Sequence, residues 1–115
     1  MELTILEQAP DLNLVALRGR LDTQGVDRIE TRFNAALAAG RRHAIVDLSG
    51  VEFLSSMGVR MLLAAAKALG RQGAKLILVA PRPLVEGALS HSSLDEILPV
   101  CPDLASAKLL AGVRS

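Results

Sequence analysis

Short apolar runs alternate with polar punctuation from the first residues onward. Leu3 to Leu6 and Leu12 to Leu17 are apolar runs separated by Glu7-Gln-Ala-Pro-Asp11, and Pro10-Asp11 is a turn signal. Together they predict a β-hairpin. Asp22 and Thr23 then offer N-cap side chains. Val26, Ile29, Phe33 and Leu37 follow at spacings of three, four and four, the apolar stripe of an amphipathic helix that Gly40 ends. Ala44-Ile-Val-Asp-Leu48 alternates little, as a strand covered on both faces does. A short loop is expected after it, leading to Ser55 and Ser56 at the mouth of a second helix. Val59, Leu62, Leu63, Ala66 and Leu69 mark that helix's buried side, with Gly70 and Gly73 punctuating its end.

Lys75 to Ala80 is a third apolar strand. Pro83 suits the first turn of a short helix running to about Leu89, Ile97 to Val100 a short edge strand, and Pro102 the opening of a last helix with Leu104, Ala107 and Leu110. The order β-β-α-β-α-β-α-β-α implies an α/β fold. Its mixed, mostly parallel sheet of about four to five strands is packed with about four helices joined by crossovers. No linker or internal repeat interrupts it, so residues 1–115 read as one domain.

Composition narrows the function classes. A net charge of +1 gives no electrostatic case for nucleic acid, and Phe33 and Phe53 as the sole aromatics argue against base-stacking platforms. Cys101 is the only cysteine, which excludes an internal disulfide or a cysteine metal cluster. The N-terminus lacks a basic region followed by a long apolar segment, and no run approaches the roughly 20 residues that span a bilayer. A cytoplasmic protein with no membrane insertion is expected.

The chemistry concentrates in Leu54-Ser-Ser-Met-Gly58. A hydroxyl at a helix N-terminus can cap free backbone N–H groups, and the same position suits a phosphate. A nucleophile elbow would need Gly-x-Ser-x-Gly, and the first glycine is missing. His91, among Ser90, Ser92 and Ser93, reads as a surface-loop residue, and His43 beside Arg41 and Arg42 as part of a solvated charge cluster. Asp47, at a strand end, would suit the phosphoacceptor of a response-regulator receiver, but the acidic pair and lysine that such a site needs are not evident. Neither an enzyme, a metal site nor a cofactor is expected, and Cys101 beside Pro102 reads as a packed thiol.

Two runs carry a resemblance. Leu17-Arg-Gly-Arg-Leu-Asp22 resembles the first signature of STAS domains, and Val46 through Val59 resembles the second, in anti-sigma-factor antagonists and related small regulators. The resemblance implies a phosphoacceptor at Ser56, a close backbone approach at Gly58 and an acidic neighbour at Asp22. It implies partner binding through Asp22, Thr23, Ser55, Ser56, Met57, Gly58 and Arg60. Ser55 stands where the family often has Asp, and Met57 where it commonly has Ser, Thr or Ala. The partners implied are an anti-sigma factor that is a serine kinase of the histidine-kinase-like ATPase type, and a PP2C-type phosphatase. The alternative is a constitutive STAS subunit of a lipid-transport ATPase complex. Ser56 and Asp22 as plain helix caps would also account for those residues.

Overall fold

The computed structural model describes residues 1–112, the Arg41 side chain aside. Strand β1 (Glu2–Ala9) turns back through Pro10-Asp11 into β2 (Leu12–Leu21), antiparallel to it, as the turn signal predicts. Three parallel strands follow: β3 (His43–Leu54), β4 (Leu76–Val79) and β5 (Val100–Cys101). Their spatial order is the chain order, β1-β2-β3-β4-β5. Helices α1 (Thr23–Ala38), α2 (Ser56–Arg71) and α3 (Pro83–His91) make the crossovers, and α4 (Leu104–Leu110) closes the described fold.

The apolar patterns become two layers. Val15 and Leu17 of β2, Val46 and Leu48 of β3 and Leu78 of β4 pack beneath α1, α2 and α3 through Ile29, Phe33, Met61, Leu62, Val85 and Leu89. On the opposite face Leu12, Leu14, Ile45, Ile77 and Val79 meet Ala107 and Ala111 beside α4. Residues 12–17 of β2, 44–48 of β3 and 76–79 of β4 are covered on both faces, which explains their weak alternation. Gly40 takes φ +74 in a 3-10 turn over Ala39–Arg41, allowing the chain to leave α1. Asn13, fully buried, has both ends of its amide satisfied, donating to Ala39 O at 3.1 Å and accepting from Arg42 at 3.2 Å.

Five local expectations give way. The loop expected after Leu48 is strand: β3 continues to Leu54, paired with Arg18 through Leu21. Ser49 N–H donates to Asp47 Oδ1 at 2.9 Å where β3 carries an extra residue relative to β2, so Asp47 lies inside the strand and not at its end. The last strand is Val100–Cys101, because Ile97 instead terminates a 3-10 turn over Leu94–Glu96 and stands 60% exposed. Asp103, not Pro102, opens α4, its carboxylate accepting from Ser106 N–H at 2.8 Å. His91 closes α3 and is not a loop residue.

Candidate functional site

Strands β2 and β3 run parallel and finish side by side, Leu21 opposite Leu54. Each is followed at once by a helix, so the N-termini of α1 and α2 stand together at one end of the sheet. Each has its own cap. Asp22 Oδ1 accepts from Gly25 N–H at 2.9 Å, and Ser55 Oγ accepts from Gly58 N–H at 3.2 Å. Ser55 also ties the two loops together: its N–H (3.0 Å) and its hydroxyl (2.8 Å) both donate to Leu21 O.

Ser56 occupies the first turn of α2, exposed, and its hydroxyl makes no hydrogen bond among the described residues. The cap that the plainer reading would give to Ser56 is supplied by its neighbour. The reason is position: only Ser55 has the extended backbone, φ −87 and ψ 172, that aims a side-chain oxygen back at the third N–H of the helix. The Ser56 and Met57 N–H groups likewise have no partner among the described residues. Two free donors and the positive end of the helix dipole thus surround an uncommitted hydroxyl.

Glycines set the closeness of this corner. A Cβ on Gly58 would lie 2.8 Å from Leu21 O and 2.7 Å from Leu54 Cδ1, and one on Gly25 would collide with Arg20 O. Both helices start hard against the strand ends only because these positions lack side chains. The resemblance-derived role of Gly58 thus has a visible steric basis.

Charge is distributed around the corner. Arg20 Nε stands 3.5 Å from Asp22 Oδ2, and its guanidinium lies 4.5 Å from the centre of the Phe53 ring. The Gly25 N–H, with further help from Arg20, holds the Asp22 carboxyl below its ordinary value of 3.8, against a smaller opposing effect of desolvation. Thr23 begins α1 and is exposed, and Met57 is 37% exposed beside Ser56. Arg60 projects from α2 one turn beyond Ser56, on the same face. The seven residues singled out from sequence therefore gather at one end of the sheet and the adjoining turn of α2. Arg20 and Phe53 are neighbours of the site that sequence reasoning leaves out, since nothing local signals that a cation 33 residues before an aromatic will cover it.

Other candidate chemistry does not assemble. Among the described residues no three His, Cys, Asp or Glu side chains gather as metal ligands, and no helix is long and apolar enough to cross a membrane. Cys101 is buried, and burial pushes its thiol up, away from the reactive thiolate. His43 Nδ1 accepts from Lys75 N–H at 3.0 Å, a structural use of its ring.

The sequence profile of the STAS domain family matches residues 4–107, and the chain belongs to that family. BtrV of Bordetella bronchiseptica is 27% identical over 100 residues, covering 87% of this chain and 85% of its own length. The anti-sigma F factor antagonist of Lysinibacillus sphaericus is 29% identical over 82 residues, 70% of each chain. An anti-sigma factor antagonist from Mycobacterium paratuberculosis matches with a TM-score of 0.80 at 29% identity, over 99% of this chain and 96% of its own. The anti-sigma factor antagonist SpoIIAA in its unphosphorylated form shares the fold with a TM-score of 0.80 at 20% identity, over 99% of this chain and 100% of its own. Phosphorylated SpoIIAA, from Bacillus, gives 0.70 at 19%, over 95% and 99%.

Proposed function

We propose that this chain is a phosphorylation-switched regulatory binding protein, an anti-sigma-factor antagonist. Unphosphorylated, it binds an anti-sigma factor that is itself a serine kinase of the histidine-kinase-like ATPase type. Phosphorylation of Ser56 ends the interaction, and a PP2C-type phosphatase restores it. The protein is no enzyme in this scheme. Ser56 Oγ attacks the terminal phosphorus of ATP held by the kinase, ADP leaves, and a base of the kinase takes the hydroxyl proton.

The observation that carries the reading is the division of labour between the two serines. Ser55 holds the helix and the loops, which leaves the Ser56 hydroxyl exposed and free beside two unpartnered N–H groups. Relatives named as anti-sigma factor antagonists, and a shared fold that has been solved in unphosphorylated and phosphorylated forms, add support. A phosphoserine adds about −1.5 to −2 charge and three acceptor oxygens. The free helix N-terminus accommodates that anion, whereas a desolvated interface built for a hydroxyl does not.

Isothermal titration against the purified kinase tests the reading. Ser56→Ala should bind as the wild type does and stay bound with ATP present. Ser56→Asp should bind about 100-fold more weakly or worse, an unpaired buried charge costing several kcal/mol. Equal affinities for the two variants would remove the switch, as would a transporter ATPase that holds both equally well.

A further inference from the structure

Helix α2 carries more than the site at its mouth. Ser56, Arg60, Lys67 and Arg71 recur at spacings of four, seven and four, so they fall along one exposed face. Arg60, Leu63, Ala64, Lys67 and Arg71 line a shallow groove of about 330 Å³. The 16 residues of α2 contain no carboxylate, and none of the three cations lies within ion-pair distance of one among the described residues. Helix α1 differs: its exposed face mixes Asp27 and Glu30 with Arg28 and Arg32. On a chain of net charge only +1, an all-cationic helix face is a local concentration of charge.

We infer that this stripe is a docking rail for an acidic face of a protein partner, with Ser56 at its head. The inference rests on the reading of Ser56 above and extends that interface along α2 to Lys67 and Arg71. At 1.5 Å of rise per residue the cations stand about 10 Å and about 6 Å apart along the axis, a spacing that carboxylates on a facing helix can match. Ala64 keeps the floor low, so a partner backbone can approach between the charged arms. Nucleic acid is disfavoured by the small net charge, and by Phe33 lying in the core and Phe53 lying beneath Arg20. A membrane surface is disfavoured because the groove floor offers only Leu63 and Ala64 for insertion. Charges so arranged speed encounter and fix orientation, and they do so less as salt rises. Phosphate on Ser56, one turn from Arg60, would also neutralise the head of the rail.

The test has two arms, each run on the full chain. In the first, a synthetic helical peptide with one face of glutamates is titrated into isotope-labelled protein. Amide shifts should centre on Arg60, Ala64, Lys67 and Arg71 and vanish in high salt. The exposed double variant Lys67→Glu/Arg71→Glu, its fold checked by circular dichroism, should lose at least about tenfold in affinity. Lys67→Arg should retain binding. Shifts elsewhere, none at all, or tighter binding to phosphatidylserine vesicles or a single-stranded oligonucleotide would overturn the rail. In the second arm the double variant should associate with the kinase at least about tenfold more slowly while still accepting phosphate on Ser56 at saturating kinase. Unchanged association would sink the rail and leave the Ser56 reading standing. A wild-type chain that accepts no phosphate would sink that reading, while the peptide titration still decides the rail.

Discussion

Replacing each of the two adjacent serines by alanine should have unequal consequences. Ser55→Ala removes the acceptor for Gly58 N–H and one of two donors to Leu21 O. Leu21 O keeps the Ser55 N–H at 3.0 Å, so it remains satisfied, whereas Gly58 N–H, on a buried residue, is left without its partner. Loss of a serine cap costs about 0.5–2 kcal/mol, and the buried donor places this case at about 1–2. With a urea slope of about 2 kcal/mol per molar, the unfolding midpoint should fall by about 0.5–1 M. Ser56→Ala deletes an exposed hydroxyl that bonds to nothing described, at a helical position where alanine is well tolerated. Its effect should stay within about 0.5 kcal/mol. The chain has neither Trp nor Tyr, so far-UV circular dichroism is the suitable probe. Equal losses for the two variants, or a larger one for Ser56→Ala, would refute the assignment of the cap to Ser55.

Two glycines of α2 should respond in opposite directions to alanine. Gly58→Ala forces a Cβ to 2.8 Å from a backbone carbonyl and should cost about 1–3 kcal/mol. Gly70→Ala meets open space and should gain up to about 1 kcal/mol, so calorimetric melting shifts of the same sign would contradict the close approach at the site. The Asp22 carboxyl titrates lower folded than unfolded, so its charge contributes stability above its ordinary value of 3.8, lost as pH falls through the lower folded value. Asp22→Asn should therefore trail the wild type in urea midpoint at neutral pH and converge with it in acid; a gap that widens in acid would be wrong for this geometry.

Most of the architecture is legible in the chain because it rests on local periodicity. The hairpin, the α1 stripe and the apolar strands each declare themselves within a dozen residues. Non-local pairing accounts for most of what is not. A short loop is expected after Leu48, yet Arg18 to Leu21 of β2 supply ladder partners that carry β3 on to Leu54. Ser55 and Ser56 are adjacent and identical in type, and the bonds that set Ser55 apart reach Leu21 O, a carbonyl 34 residues earlier in the chain. The Arg20–Phe53 contact is equally invisible until the two strands lie side by side. Ile97, in the apolar run Ile97-Leu98 before Pro99, reads as strand but serves to end a 3-10 turn, leaving β5 only two residues. The gathering of Asp22, Ser55, Ser56 and Gly58 was expected from a resemblance. The steric and hydrogen-bonding reasons for it are visible only in three dimensions.

The central claim is that Ser56 is the hydroxyl kept free for phosphate, and locating the phosphate tests it most directly. The protein should be purified from its own cells and also treated with the purified kinase and ATP, with peptide mass spectrometry applied to both samples. Phosphate should appear on Ser56, approaching one per chain with the kinase, and should be absent from Ser49, Ser55 and Thr23. Stoichiometric phosphate on Ser55, whose hydroxyl is already engaged with Leu21 O and Gly58 N–H, or none on Ser56 in either sample, would contradict it.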